Sequence, residues 1–504
     1  MADETSSDRR PNILLLLSDE ERQRDWIPAG LTLPARQRLI DEGLEFTSYY
    51  THTNPCSPSR ASLLTGQYLP NHGVTQNVDW VRQPERPQLE ADVPTIGHVL
   101  RERGYYTAYI GKWHLSRSQF PDLEAHGFSD WQGDDLTFRG LAGAGLHSDP
   151  LITEQALGWL RDNANREEPW LLVVGMLNPH DVMWFPGDQP DYQAAHAEVI
   201  ERRRQASGKW REGDLYPSYD EPYEEIFDAP PPNLDDDLFT KPAVQRQYEH
   251  DTNLGPWGRI DRSDTRAWIR QLDYYWRMHQ EHDVYLGRIL DALDASGQAD
   301  ETIVIFSTDH GDMCGAHGLR NKGPFVYEEQ MRIPLYIRAP GITTPGSKTA
   351  ALGTSVDLAS TILALGGVEE APTFMGRDLT PVLRDPSASV RDYVLLAQDQ
   401  GSATDFPNCL RLRYAMRCSF DGRHKYARYY GVGIGRADEG RGLWTRKRFD
   451  IDAAFEDHDH EWYDLQEDPL ELVNLANDRA RRRELRERFE WLRECEAAEF
   501  GEGL

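Results

Sequence analysis

Cysteine is scarce in this chain, and what there is does not pair. The five residues, Cys56, Cys314, Cys409, Cys418 and Cys495, are odd in number and widely spread, with no C-x-x-C among them. That argues against a disulfide framework or a structural zinc knuckle and fits a reducing compartment. Long apolar runs are missing too. The run LLLL at 14–17 has the length of a buried strand and is far too short to span a bilayer. Positive charge is in deficit, with 55 Lys and Arg against 84 Asp and Glu and a formal net charge of -29. This disfavours nucleic acid and anionic membrane as partners, although a cleft can still focus local positive charge on a small anion. The opening MADETSSDRRPN is polar and charged, so no secretory leader precedes the first apolar run and a cytoplasmic protein is expected.

What is present is alternation. Apolar strands alternate with amphipathic helical stretches, the pattern of an α/β fold with a largely parallel sheet. NILLLLSD (12–19), YYTAYIGK (105–112), PWLLVVGMLN (169–178), TIVIFSTDHG (302–311) and RIPLYIRAP (332–340) read as strands. LPARQRLIDEG (33–43), TIGHVLRERG (95–104) and SVDLASTILALGG (355–367) read as helices. The expected architecture is a large mixed, mostly parallel sheet flanked by helices, spanning residues 1–384. Residues 181–262 form a turn-rich acidic insertion within it, read as a solvated surface loop in the first place and as a lid or subunit contact in the second. From about residue 385 the strands shorten, as in RDYVLLAQ and HKYARYY, and an amphipathic helix closes the chain. Residues 385–504 are therefore expected to form a smaller C-terminal α+β domain.

Four of the strands end in polar, ionisable residues: Ser18-Asp19-Glu20, Gly111-Lys112-Trp113-His114, Asn178-Pro179-His180 and Thr308-Asp309-His310. Open α/β sheets bind ligands at those carboxyl ends. Alone, an Asp-Glu pair is an ordinary helix cap and a surface lysine an ordinary ion-pair partner; four strands delivering such groups together are not. The stretch NPCSPSRASLLTG (54–66) adds a cysteine in a stiff, hydroxyl-rich turn ahead of a helix, with Pro58, Arg60 and Thr65-Gly66 at fixed spacing from Cys56. GVGIG (431–435) is more simply a turn than a dinucleotide loop, because the residues after it are polar and glycine-broken.

CSPSR-ASLLTG resembles the C-x-P-x-R…TG signature of the sulfatases, in the alkaline-phosphatase-like superfamily. PNILLLLSDE, GYYTAYIGKWHLS, DHGDMCGAHGLRNKGPFVYEEQMRIP and EWYDLQEDPLELVNLA extend the resemblance, in order, from about residue 11 to 476. The resemblance implies that a maturation enzyme converts Cys56 to formylglycine, whose hydrate is the nucleophile toward a small-molecule sulfate ester. It implies Asp19, Glu20, Asp309 and His310 as ligands of a divalent cation: calcium first, then magnesium or manganese, with zinc last. It further implies that Arg60, Lys112 and His114 attend the nucleophile, with His114 as base, and that His180 and Lys322 bind sulfate and aid departure of the alcohol. Asn77 is implied beside the cation-side hydroxyl.

Two competing readings stay open. Phosphonate monoester hydrolases share the cysteine motif but tend to carry hydroxyl residues at the Lys-x-His element, which is kept here as Lys112-Trp113-His114; a phosphate or phosphonate ester remains the alternative substrate. An inactive relative that binds a sulfated ligand is the third reading. Tyr216, Tyr219 and Tyr223 among carboxylates could cage a choline-type cation. The acidic insertion and final helix are the segments through which the chain could self-associate.

Overall fold

The computed structural model describes residues 10–78, 87–117, 122–133, 143–187, 189–195, 197, 225–255, 257–399, 409, 412–431 and 451–501. Tyr216, Tyr219, Tyr223 and residues 432–435 lie outside them. Among the described residues ten strands precede residue 390: β1 (Asn12–Asp19), β2 (Leu44–Phe46), β3 (Tyr49–Tyr50), β4 (Tyr106–Gly111), β5 (Asp130–Gln132), β6 (Trp170–Pro179), β7 (Thr302–Thr308), β8 (Leu335–Arg338), β9 (Ser347–Thr349) and β10 (Gly353–Thr354). β3 and β10 form a two-stranded ladder; the others build one sheet in the order β5-β4-β6-β1-β7-β8-β2-β9. Only β8 in that sheet runs against its neighbours.

The apolar runs of β1, β6 and β7 do not alternate with polar residues because both of their faces are covered. Ile13, Leu15 and Leu17 join Leu171, Val173, Ile303 and Ile305 in one core. Leu14 and Leu16 join Leu172, Val174, Val304 and Phe306 in another on the opposite face. Helix α1 (Pro34–Glu42) and the helices Ala144–Asp162 and Thr265–Ala295 supply the second core; α2 (Cys56–Thr65), Ile96–Glu102 and Ser355–Leu365 supply the first. The sheet order sets β4, β6, β1 and β7 side by side and parallel, so their C-terminal ends share one edge. That edge receives Lys112, His180, Asp19 and Asp309.

The C-terminal strands β11 (Val394–Gln398), β12 (Ala415–Phe420), β13 (His424–Tyr430) and β14 (Asp459–Asp464) form an antiparallel sheet in sequence order. One face packs Tyr426 and Trp462 on Leu485, Phe489 and Leu492 of the final helix, Arg482–Phe500. The other joins Tyr50, Trp184 and Tyr327 of the larger body. A buried lysine fastens the two, Lys425 Nζ lying 2.7 Å from Glu328 and 2.8 Å from Glu471. β11 also reaches the cysteine turn, where the Ala397 amide donates to the His52 carbonyl at 2.8 Å.

The surface-loop expectation for 181–262 fails for its described part. Trp184, Phe185, Leu234, Leu238 and Tyr248 are buried, and Ala243–Leu254 is a helix. Apolar side chains spaced among the carboxylates carried that burial. The five cysteines are free and buried. Among the described residues no helix is long and apolar enough to cross a membrane.

Candidate active site

Helix α2 opens at Cys56 and closes at Gly66, which takes φ 60 and bonds back to the Ser62 carbonyl. That left-handed close is why the TG pair stands where it does. Cys56 is 1% exposed. Its Sγ lies 3.6 Å from Asp19 Oδ1 and 3.3 Å from His310 Nε2. Burial, and then the Asp19 carboxylate, push the Cys56 thiol up to about 11. A thiol held protonated in this way is a poor nucleophile.

Arg60, one turn along α2, is the electrostatic centre. Its Nε lies 3.0 Å from Asp309 Oδ2 and its Nη2 3.0 Å from Asp19 Oδ2, while Nη1 donates to the Lys112 carbonyl at 3.0 Å. Lys112 Nζ meets Asp19 Oδ2 at 2.5 Å. Burial alone would raise the Asp19 carboxyl, but the adjacent charges of Lys112 and Arg60 hold it well below the usual carboxylate range. On the far side Lys322 Nζ lies 2.7 Å from Glu20 Oε2, and His180 Nε2 is 3.8 Å from the same oxygen. Burial, then the charges of Lys322 and Lys112, drive His180 well below its ordinary value, so its imidazole is neutral. Asp19, Glu20 and Asp309 thus face Arg60, Lys112 and Lys322; burial, only partly offset by Lys322, pushes the Glu20 carboxyl well above its ordinary value.

The ligand atoms of Asp19, Cys56, Asp309 and His310 lie within 4.8 Å of one another, and those of Asp19, Glu20 and His180 form a second such group. His310 Nδ1 donates to the Gly311 carbonyl at 2.9 Å, which leaves Nε2 to present a lone pair toward Cys56. Glu20 Oε1 is fully buried with no hydrogen-bond partner among the described residues. Carboxylate oxygens, one imidazole nitrogen and an orphaned buried oxygen fit a divalent cation. Glu20 nonetheless faces Lys322 and His180 more directly than it faces the group around Cys56.

Alternation along an extended strand would set Lys112 and His114 on one face, but β4 stops at Gly111 and His114 takes φ 58, so they do not share one. The path folds back so that the His114 carbonyl accepts from Ser57 Oγ at 2.5 Å. Asn77 meets the turn through backbone, its Oδ1 accepting from the Ser57 amide at 3.0 Å. Sequence reading passed over Ser57 and Tyr109. Ser57 Oγ bridges the His114 carbonyl and the Val78 amide, and Tyr109 donates to the Lys112 carbonyl at 2.6 Å. The only sequence signal for Tyr109 is a phenol three residues before Lys112.

An eight-stranded sheet of this order, covered by helices on both faces and with carboxylates, cations and one cysteine meeting at its C-terminal edge, has the architecture of the alkaline-phosphatase-like class. The sulfatase family profile matches residues 11–368, and the chain belongs to that family, whose members hydrolyse sulfuric esters. An N-acetylglucosamine-6-O-sulfatase of Bacteroides thetaiotaomicron is 26% identical over 514 residues, covering 93% of this chain and 83% of that protein. A solved 2-O GAG sulfatase superposes with a TM-score of 0.74 at 21% identity, covering 97% of this chain and 93% of the other. A phosphonate monoester hydrolase from Silicibacter pomeroyi shares the fold with a TM-score of 0.70 at 20% identity, covering 98% and 96%.

Proposed function

We propose that this chain cleaves a sulfate monoester to an alcohol and inorganic sulfate, with Cys56 carried as formylglycine and a divalent cation, calcium in the first place, held by Asp19, Asp309, His310 and Glu20. The observation that carries the reading is the cluster itself: Asp19, Asp309 and His310, from strands far apart in sequence, close around one buried cysteine.

A hydrated formylglycine supplies one hydroxyl to attack sulfur and a second whose deprotonation expels sulfate by carbon–oxygen cleavage. A divalent cation supplies positive charge against the sulfate oxygens. The chain's own residues do the rest. Arg60 locks Asp19 and Asp309 in place and keeps its charge beside residue 56. Lys112 and Lys322 bring two further charges to the pocket where negative charge builds on the ester. His114 is assigned the proton from the second hydroxyl, and neutral His180 donates a hydrogen bond to the ester.

Retention of Lys112 and His114 supports sulfate over phosphonate. The fold relatives favour neither, since both chemistries sit on this architecture. A sulfated amino sugar is the first ester to test, because the Bacteroides relative is named for one. The experiment expresses the chain with a formylglycine-generating maturation enzyme, weighs the peptide containing residue 56, and compares kcat/KM on matched aryl sulfate and aryl phosphonate. An aldehyde mass and a preference for sulfate are expected. Full turnover by Cys56→Ala, or a preference for phosphonate, overturns the reading.

A further inference from the structure

Successive residues of an extended chain point to opposite faces, so a straight continuation of β1 would send the Asp19 and Glu20 side chains apart. The chain turns instead. Glu20 takes φ 70, the left-handed region that long side chains seldom adopt. The turn sets the Glu20 carboxylate with Asp19 and His180, while Glu21 leaves toward Ser18 and Arg36.

One side chain grips this turn from outside. Tyr275, on the helix Thr265–Ala295, donates its hydroxyl proton to the Glu20 carbonyl at 2.7 Å and accepts from the Arg22 amide at 3.0 Å. The two bonds use the phenol's single proton and one lone pair on the backbone groups that flank Glu21. Tyr275 is fully buried. Trp26 stacks on its ring at 4.9 Å and His279 meets it edge-on at 4.4 Å. His279 is itself fixed, its Nδ1 donating to the Tyr275 carbonyl at 2.8 Å. Burial, followed by the nearby Asp312 carboxylate, keeps the phenol well above its ordinary value, so the donated proton stays.

We propose that Tyr275 is a positioning residue for the cation site, its hydroxyl fixing the left-handed turn that aims the Glu20 carboxylate inward beside Asp19. The inference rests on the reading of Glu20 as a cation ligand. Its action passes entirely through backbone, which is why no motif in the sequence marks it.

The test measures cation affinity calorimetrically on the full-length, EDTA-stripped chain, titrated in turn with calcium, magnesium and manganese, the tightest ion serving as probe. Tyr275→Phe is expected to weaken that ion by roughly 10- to 100-fold, the range for losing an outer-shell partner. Asparagine accepts the left-handed region unaided, so in a Glu20→Asn background the same change is expected to cost less than about 3-fold. A melting-temperature drop in Tyr275→Phe with unchanged ion affinity reduces Tyr275 to a packing residue and overturns the proposal. So does an equal penalty in both backgrounds, which needs no turn at Glu20. Should Tyr275→Phe fail to fold, a soluble, folded Glu20→Asn/Tyr275→Phe double variant supports the proposal, and failure of both overturns it. Glu20→Gln with unchanged ion affinity removes the reading of Glu20 instead, a separate result. No ion binding by the parent chain removes both.

Discussion

His310 Nε2 stands 3.3 Å from Cys56 Sγ, although 254 positions separate the two residues. The contact is directional, since the other ring nitrogen is committed to the Gly311 carbonyl. A lone pair therefore points at Cys56 from the end of β7, beside the two carboxylates that Arg60 clamps.

Removing that lone pair tests His310 as a ligand of the proposed cation. His310→Ala is expected to lose at least the roughly 10- to 100-fold affinity that even an outer-shell partner costs. Calorimetry against EDTA-stripped protein reads it directly. Unchanged affinity would take His310 out of the ligand set.

Arg60 is a buried guanidinium shared by two buried carboxylates. In EDTA, Arg60→Leu leaves Asp19 and Asp309 without it and is expected to destabilise the fold by about 3–5 kcal/mol. Arg60→Lys recovers only part, because a single ammonium cannot reproduce the forked geometry. Urea unfolding curves supply the measurement; a loss below about 1 kcal/mol in the leucine variant would refute the clamp.

Glu21 gives a pH signature away from the chemistry. Burial raises its carboxyl, but two bonds from Arg36, at 2.7 and 2.6 Å, hold it at about 2 against an ordinary 4.5. The folded form thus releases this proton more readily than the unfolded chain. Its stabilisation is complete above about pH 4.5 and is lost as pH falls toward 2, on the order of 3 kcal/mol in all. Urea midpoints between pH 2 and 5 should fall less steeply in Glu21→Gln than in the parent. Parallel profiles would show that Glu21 is not the titrating group.

Gly145 separates propensity from packing. Alanine is worth about 1 kcal/mol over glycine inside a helix. A Cβ here, however, would lie 2.2 Å from Asn178 Oδ1, the acceptor of the Asp181 amide on either side of His180. Overpacking of about 1–3 kcal/mol is expected to win, so Gly145→Ala should lower both melting temperature and kcat/KM. A more stable, fully active variant would mean that Asn178 simply rotates away.

The strands, the largely parallel sheet and the four ionisable ends were legible because a strand covered on both faces is written as an unbroken apolar run. Cys56 and Arg60 were legible from spacing. What escaped are contacts made through backbone. Nothing local announces that Ser57 ties down His114, or that His114 reverses its φ so that an alternation rule no longer applies. Trp184, Leu238 and Tyr248 escaped for a different reason: composition averaged over an acidic stretch hides the few side chains that pack.

The near-complete enclosure of Cys56 also sets a timetable. A closed chain offers a second protein no approach to that sulfur, so the enzymatic oxidation proposed for Cys56 requires a chain that has not yet closed. Asp309 and His310, which meet Arg60 and Cys56 in the closed fold, leave the ribosome some 250 positions later, a delay of roughly 10–50 s at ordinary synthesis rates.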